Sequence, residues 1–263
     1  MFYRPLGSTG MQVSALGFGT VKLGRNQGVK YPDAFVIPED REARQLLDIA
    51  RDLGINLLDT APAYGNSEER LGKLLKNDRK HWLICSKTGE EFVDGESHFD
   101  FSPEHTRRSI ERSMKRLNTD YIDIVLVHSD GNDLAIIQQQ GVLAQLADLK
   151  QKGWIRAFGM STKTVEGGLI AAEESDVVMV TYNVNERDEE PVIDYCQKLH
   201  KGILVKKAFA SGHICADKVP DKNLANSDAV EQSLAMIFAH AGVSSAIIGT
   251  INPQHLRDNV AKL

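Results

Sequence analysis

Short apolar runs and longer amphipathic runs alternate along the whole of this 263-residue chain. The short ones are SALGFGT, INLLDT, HWLICSK, YIDIVLVHS, IRAFGMS, VVMVTYN, GILVKKA and SAIIGT. They are rich in Val, Ile and Leu and too short for helices, as expected of strands buried on both faces. Helical spacing follows each of them, over 42–53, 68–75, 103–117, 141–152, 165–174, 191–200, 228–240 and 253–262. Ser102–Pro103 and Asn252–Pro253 each place a capping side chain before a proline at the first helical position. Strand and helix signals in strict alternation over short connections predict an α/β fold, a closed (β/α)8 barrel forming one domain over 1–263. Ahead of it, MFYRPLGSTGMQVSALGFG alternates around a Gly-Ser-Thr-Gly turn and predicts a short hairpin.

Two longer irregular stretches interrupt the alternation, VKLGRNQGVKYPDAFVIPED after the first strand and FASGHICADKVPDKNLANS after the seventh. Both follow strands, on the face where barrel active sites lie, and are expected to form walls or lids there.

Composition narrows the partners. A net charge of -5 without a lysine or arginine cluster argues against nucleic acid. No apolar run approaches the ~18 residues of a membrane helix, and the start does not read as a secretion signal, so a cytoplasmic protein is expected. Cys85, Cys196 and Cys215 have no metal-like spacing and read as reduced, packed thiols.

The chemistry concentrates where strands end. In a closed barrel the carboxyl ends of all strands meet at one rim, and Asp59, Lys87 and His128 end the second, third and fourth strands. Tyr64 stands in the loop just past Asp59. A lysine near a phenol favours the phenolate and lowers the tyrosine pKa, while a carboxylate keeps that lysine charged and oriented. A tyrosine so placed is a candidate general acid.

These residues resemble the aldo-keto reductases over the whole chain, in particular a short bacterial-type member without the long C-terminal loop. The motifs are GFGT at 17–20, LLDTAPAYG at 57–65, SK at 86–87, LVHS at 126–129, GMS at 159–161 and TYN at 181–183. The resemblance implies that the N-terminal hairpin closes the barrel bottom. It implies reversible hydride transfer between NADP(H), with NAD(H) as the alternative, and an aldehyde or ketone. Tyr64 would be the acid/base, Lys87 and Asp59 would tune it, and His128 would orient the carbonyl. The nicotinamide would lie by Gly19, Thr20, Asp59, Ser161 and Thr162. The pyrophosphate would run along Phe209, Ser211 and Gly212, and the adenosine would meet Gly249, Thr250, His255 and Asn259 at the start of the last helix. A helix N-terminus suits a phosphate.

Some positions depart from the family pattern. Thr162 stands for asparagine, Met179 for a carboxamide-holding glutamine, and Lys206 for a stacking aromatic, so that Lys206 or Lys207 is expected to face phosphate. Gly249 and His255 replace a lysine and an arginine, which weakens a 2′-phosphate site. Tyr31, Phe35, Trp82 and Phe92 are candidate substrate walls. The expected partner is a small carbonyl compound, with the chain a monomer or weak oligomer and no metal. A nicotinamide-binding regulatory subunit with little catalysis is the alternative; a barrel lyase using Lys87 as a Schiff-base amine is a further one.

Overall fold

The computed structural model describes residues 1–213 and 226–263. An antiparallel pair opens the chain, Tyr3–Pro5 (β1) and Gln12–Ser14 (β2). Then come Leu16–Gly19 (β3), Val21–Gly24 (α1), Asp40–Asp52 (α2), Leu57–Asp59 (β4), Ser67–Leu74 (α3) and Leu83–Thr88 (β5). A second antiparallel pair follows, Glu90–Val93 (β6) and Glu96–Phe99 (β7), and then Pro103–Leu117 (α4), Ile122–His128 (β8), Asp133–Gln139 (α5) and Val142–Gln151 (α6). The chain continues through Ile155–Ser161 (β9), Val165–Glu174 (α7), Val177–Thr181 (β10), Glu190–Lys198 (α8) and Gly202–Lys206 (β11). It ends with Asn226–Ala239 (α9), Ser245–Ile248 (β12) and Pro253–Ala261 (α10).

Strands β3, β4, β5, β8, β9, β10, β11 and β12 close into a barrel of parallel neighbours. Alternation within each strand sorts side chains between two cores. Outward residues such as Leu58, Ile84, Val125, Val127 and Val178 pack under the helices. Leu57, Cys85, Ile124, Leu126, Ala157, Val177, Met179 and Leu204 fill the barrel interior, together with Leu6, Met11 and Val13 of the β1–β2 hairpin. The hairpin therefore closes one end, as the resemblance implies. Burying each such large side chain is worth roughly 1.5–3 kcal/mol.

The same alternation positions the chemistry. Two residues beyond an interior apolar side chain, on the same inward face, lie Asp59 after Leu57, Lys87 after Cys85, His128 after Leu126 and Lys206 after Leu204. Each of these four strands is apolar inward until the barrel opens and turns polar at the rim.

The β6–β7 hairpin and α5 lie outside the alternation that the sequence predicts. The hairpin turns on Asp94 and Gly95, both with positive φ, as a two-residue hairpin loop requires. It follows a barrel strand and so joins the rim. The first long stretch begins with α1; of the second, residues 214–225, with Cys215, lie outside the described residues. Cys85 and Cys196 are buried free thiols, and among the described residues no helix is long and apolar enough to cross a membrane.

Candidate active site

Lys87 and Asp59 form the deepest part of the rim. Lys87 Nζ donates to Asp59 Oδ1 at 2.6 Å and to Thr60 O at 2.9 Å, and both side chains are almost fully buried. The ammonium lies 4.7 Å from the centroid of the Tyr64 ring. Tyr64 sits in the turn between β4 and α3, where Tyr64 N donates to Ala61 O and Ser67 N donates to Tyr64 O. That turn is locked against the end of α1. A Cβ on Gly24 would collide with Tyr64 O and Ser67 N, and one on Gly65 with Gly24 O. Gly65 also has φ +61, a left-handed conformation that costs other residues strain. Arg25 adds a clamp, donating from Nη1 to Ala63 O at 3.0 Å. The Tyr64 ring meets the His128 ring edge-on at 6.2 Å.

Burial and charge oppose each other here. Burial alone would lower the Lys87 pKa, but the Asp59 carboxylate outweighs it, and the lysine is held above its ordinary value as a fixed cation. For Tyr64 the balance falls the other way from the sequence expectation. Burial pushes the phenol above its ordinary range, and the opposing pull of Lys87 does not cancel it. Burial thus favours the neutral phenol of Tyr64 over the phenolate.

His128 is partly exposed at the mouth. Its Nδ1 lies 2.6 Å from Glu90 Oε2, an ion-pair distance with the carboxylate off the ring N–H axis. Burial, aided by Lys87 and Lys206, lowers the histidine pKa against the pull of Glu90. Burial would raise the Glu90 carboxyl, yet His128, Ser97 and Arg25 hold it down at about 2. The sequence reading missed Glu90, although the Asp94–Gly95 dipeptide signals the hairpin that carries it.

The residues expected at the cofactor divide into two groups. Gly19 and Gly249 are neighbours on the rim: a Cβ on Gly249 would lie 3.6 Å from both Gly19 O and Tyr31 Oη. They leave bare backbone where an extended ligand could lie. Ser161 Oγ accepts from Lys206 Nζ at 2.9 Å, and Thr162 O accepts from the same amine at 2.5 Å. Lys206 therefore faces these two residues, and burial brings its pKa down to about 8. Thr20 and Thr162 are fully buried. Thr20 Oγ1 donates to Asp59 O and accepts from Ser67 Oγ, and Thr162 Oγ1 donates to Glu189 Oε1. Their hydroxyls brace the rim from inside.

Farther out, Lys207, Ala210 and Ser211 all have positive φ. Phe209 packs on the core, Gly212 follows, and Lys207 Nζ lies 3.7 Å from Glu186. Rare backbone conformations of this kind cluster at ligand clamps. At α10, Asn252 Oδ1 already accepts from Gln254 N and His255 N, so the amides expected to meet phosphate are capped. His255 is exposed, Thr250 and Asn259 are half-buried, and Thr250 Oγ1 accepts from Asn252 N. The nicotinamide half of a dinucleotide thus fits this rim, with open backbone beside polar groups, while the adenosine end offers a hydroxyl, an imidazole and an amide.

Among the expected walls, Tyr31 and Phe35 pack together under the Lys22 ammonium, 4.1 and 5.0 Å from the two rings. Phe92 carries the Arg25 guanidinium 3.4 Å above its ring centroid. Trp82 does not belong with them. It precedes β5, at the opposite end of the barrel, and is buried in the outer core against His81.

The Aldo/keto reductase family model matches residues 15–235. A crystal structure from Pseudomonas aeruginosa, of a protein assigned to the aldo-keto reductases, superposes with a TM-score of 0.88 at 58% identity, over 99% of this chain and 93% of that one. Among curated relatives, L-galactose dehydrogenase of Arabidopsis thaliana is 29% identical over 98% of this chain and 86% of its own length. NADH-specific methylglyoxal reductase of Escherichia coli is 27% identical over 98% of this chain and 92% of its own.

Proposed function

The chain belongs to the aldo-keto reductase family, and from that premise we propose that it reduces a small aldehyde or ketone to the alcohol, reversibly, with NADPH preferred to NADH. The observation that carries this reading is the buried Lys87 cation, held by Asp59 and lying 4.7 Å from the ring of Tyr64. A binding protein has no need of so costly a charge beneath a phenol.

The bound nicotinamide supplies the hydride that reaches the carbonyl carbon. Tyr64 gives its proton to the carbonyl oxygen as negative charge develops there. Lys87 stabilises the phenolate that remains, and Asp59 keeps the ammonium in place. His128 fixes the oxygen from the other side. Fixed dipoles and charges aimed at a developing oxyanion are where an enzyme gains most. Arg25 and Phe92 wall the pocket beside them.

Tyr64→Phe tests the reading. It removes the proton donor and leaves the ring, so the variant should fold and bind NADPH as the wild type does. Turnover of 4-nitrobenzaldehyde should fall by about 10²–10⁴-fold. Near-wild-type turnover would remove Tyr64 from the role of acid.

A further inference from the structure

Two lysines reach inward at the barrel mouth, and among the described residues only one has a carboxylate against it. Lys87 donates to Asp59. Lys206 donates to Ser161 Oγ at 2.9 Å and to Thr162 O at 2.5 Å, both of them neutral. To reach them from β11 its side chain crosses β10, where Thr181 pairs with Lys206 and Met179 with Ser161 in register. Met179 brings no charge to meet it. Glu189 of α8 is the acid that bears most on the ammonium, but its two oxygens already accept from Thr181 N and Thr162 Oγ1. The Lys206 charge also reaches His128, whose pKa it helps to lower, so it acts within the mouth.

We propose that the Lys206 ammonium selects the redox state of the cofactor, accepting the neutral reduced nicotinamide and repelling the cationic oxidised ring. This rests on the reductase reading, in which the nicotinamide lies by Ser161 and Thr162. The two forms of the cofactor carry the same phosphates, riboses and adenine and differ by one positive charge at the ring. The ratio of their affinities therefore reports charge at the ring end alone. A cation beside the oxidised ring costs Coulomb energy, and a partly buried rim screens it less than water does. The same charge opposes loss of hydride from the bound ring, so its gain is in release of oxidised cofactor and loading of reduced. The groups that face Lys206 are Glu189 from α8, Asp133 from α5, Lys163 beyond β9, Lys207 beyond β11 and His128 from β8. Burial and the two lysines outweigh the two acids and bring its pKa down to about 8. The selection should therefore be present at pH 7 and fade above pH 8.

Calorimetric titration of the intact chain with NADPH and with NADP+, at pH 7 and at pH 9.5, reads this without turnover. In the wild type the ratio of the NADP+ to the NADPH dissociation constant should be large at pH 7 and fall at pH 9.5. Lys206→Met, which keeps the length and removes the charge, should lower the ratio at pH 7 by about tenfold, equivalent to ~1.4 kcal/mol, and leave it insensitive to pH. Lys206→Arg, which keeps a charge that does not titrate, should hold the ratio high at both pH values. A wild-type ratio that is the same at pH 7 and pH 9.5 overturns the proposal whether or not the variants fold. Equal weakening of both nucleotides in Lys206→Met would set the ammonium on a phosphate and overturn it too, with the reductase reading intact. A wild-type chain that binds neither nucleotide overturns the reductase reading, and the selection with it.

Discussion

At the scale of single residues, the site turns on a lysine that burial should neutralise and a carboxylate that prevents it. Asp59 and Lys87 are worth little to stability as a pair, since desolvating two charges offsets most of their attraction, but removing one leaves the other stranded. Lys87→Met should therefore cost about 3–5 kcal/mol, read as a lowered midpoint in urea. Adding Asp59→Asn to that variant should restore a large part of the loss while leaving carbonyl turnover as low as in Lys87→Met alone. Equal stability of the single and double variants would show that the two residues are not coupled. These residues were legible because residue type, strand end and order agree. The balance on Tyr64 was not, because proximity of charges can be read from a sequence and depth of burial cannot. Lys206 was half legible: a missing aromatic is visible along the chain, whereas its bonds to Ser161 and Thr162 exist only once β9 and β11 share a barrel.

At the scale of elements, the rim is assembled from pieces that the strand–helix alternation does not contain. α1 and the Tyr64 turn meet backbone to backbone through Gly24 and Gly65. Gly65→Ala has both a collision and a left-handed φ to accommodate, and should cost about 1–3 kcal/mol. Its kcat should fall more than its stability suggests, since the turn that moves carries Tyr64; thermal melts and steady-state rates on one preparation decide this. The β6–β7 hairpin also leaves a pH signature. Glu90 is held at about 2 against an ordinary 4.5, and a depressed carboxyl contributes stability that is complete above the unfolded value and lost as pH falls through the folded one. Glu90→Gln should accordingly be less stable than wild type at pH 7, with the gap closing between about pH 4.5 and 2 in urea titrations. A gap independent of pH would mean that the carboxylate's charge contributes nothing. This hairpin escaped the sequence reading because its strands are short and mostly polar, with one Asp-Gly turn to mark them. Trp82 misled for the opposite reason: it is aromatic and beside a strand, but at the strand's start rather than its end.

At the scale of the molecule, period-2 alternation decides both where the core lies and where it stops. Barrel strands are apolar inward until the rim, so eight short runs of sequence were enough to predict closure, and an ionisable residue ending each of three runs marked where the mouth lies. The adenosine end was the least legible. Asn252 was read correctly as a cap, yet the cap occupies the amides that a phosphate would use. With a hydroxyl, an imidazole and an amide there, the preference for NADPH over NADH should be modest, about ten- to a hundredfold or ~1.4–2.7 kcal/mol, and tighter NADH binding in a fluorescence titration would reverse it.

Hydride transfer itself is open to direct measurement. The wild-type chain, given NADPH with both C4 hydrogens replaced by deuterium and 4-nitrobenzaldehyde, should yield 4-nitrobenzyl alcohol with one deuterium on the carbinol carbon, seen by mass spectrometry, and a rate lower than with unlabelled NADPH. Alcohol without the label, or no alcohol from any aldehyde or ketone offered, would contradict the assignment of this site to carbonyl reduction.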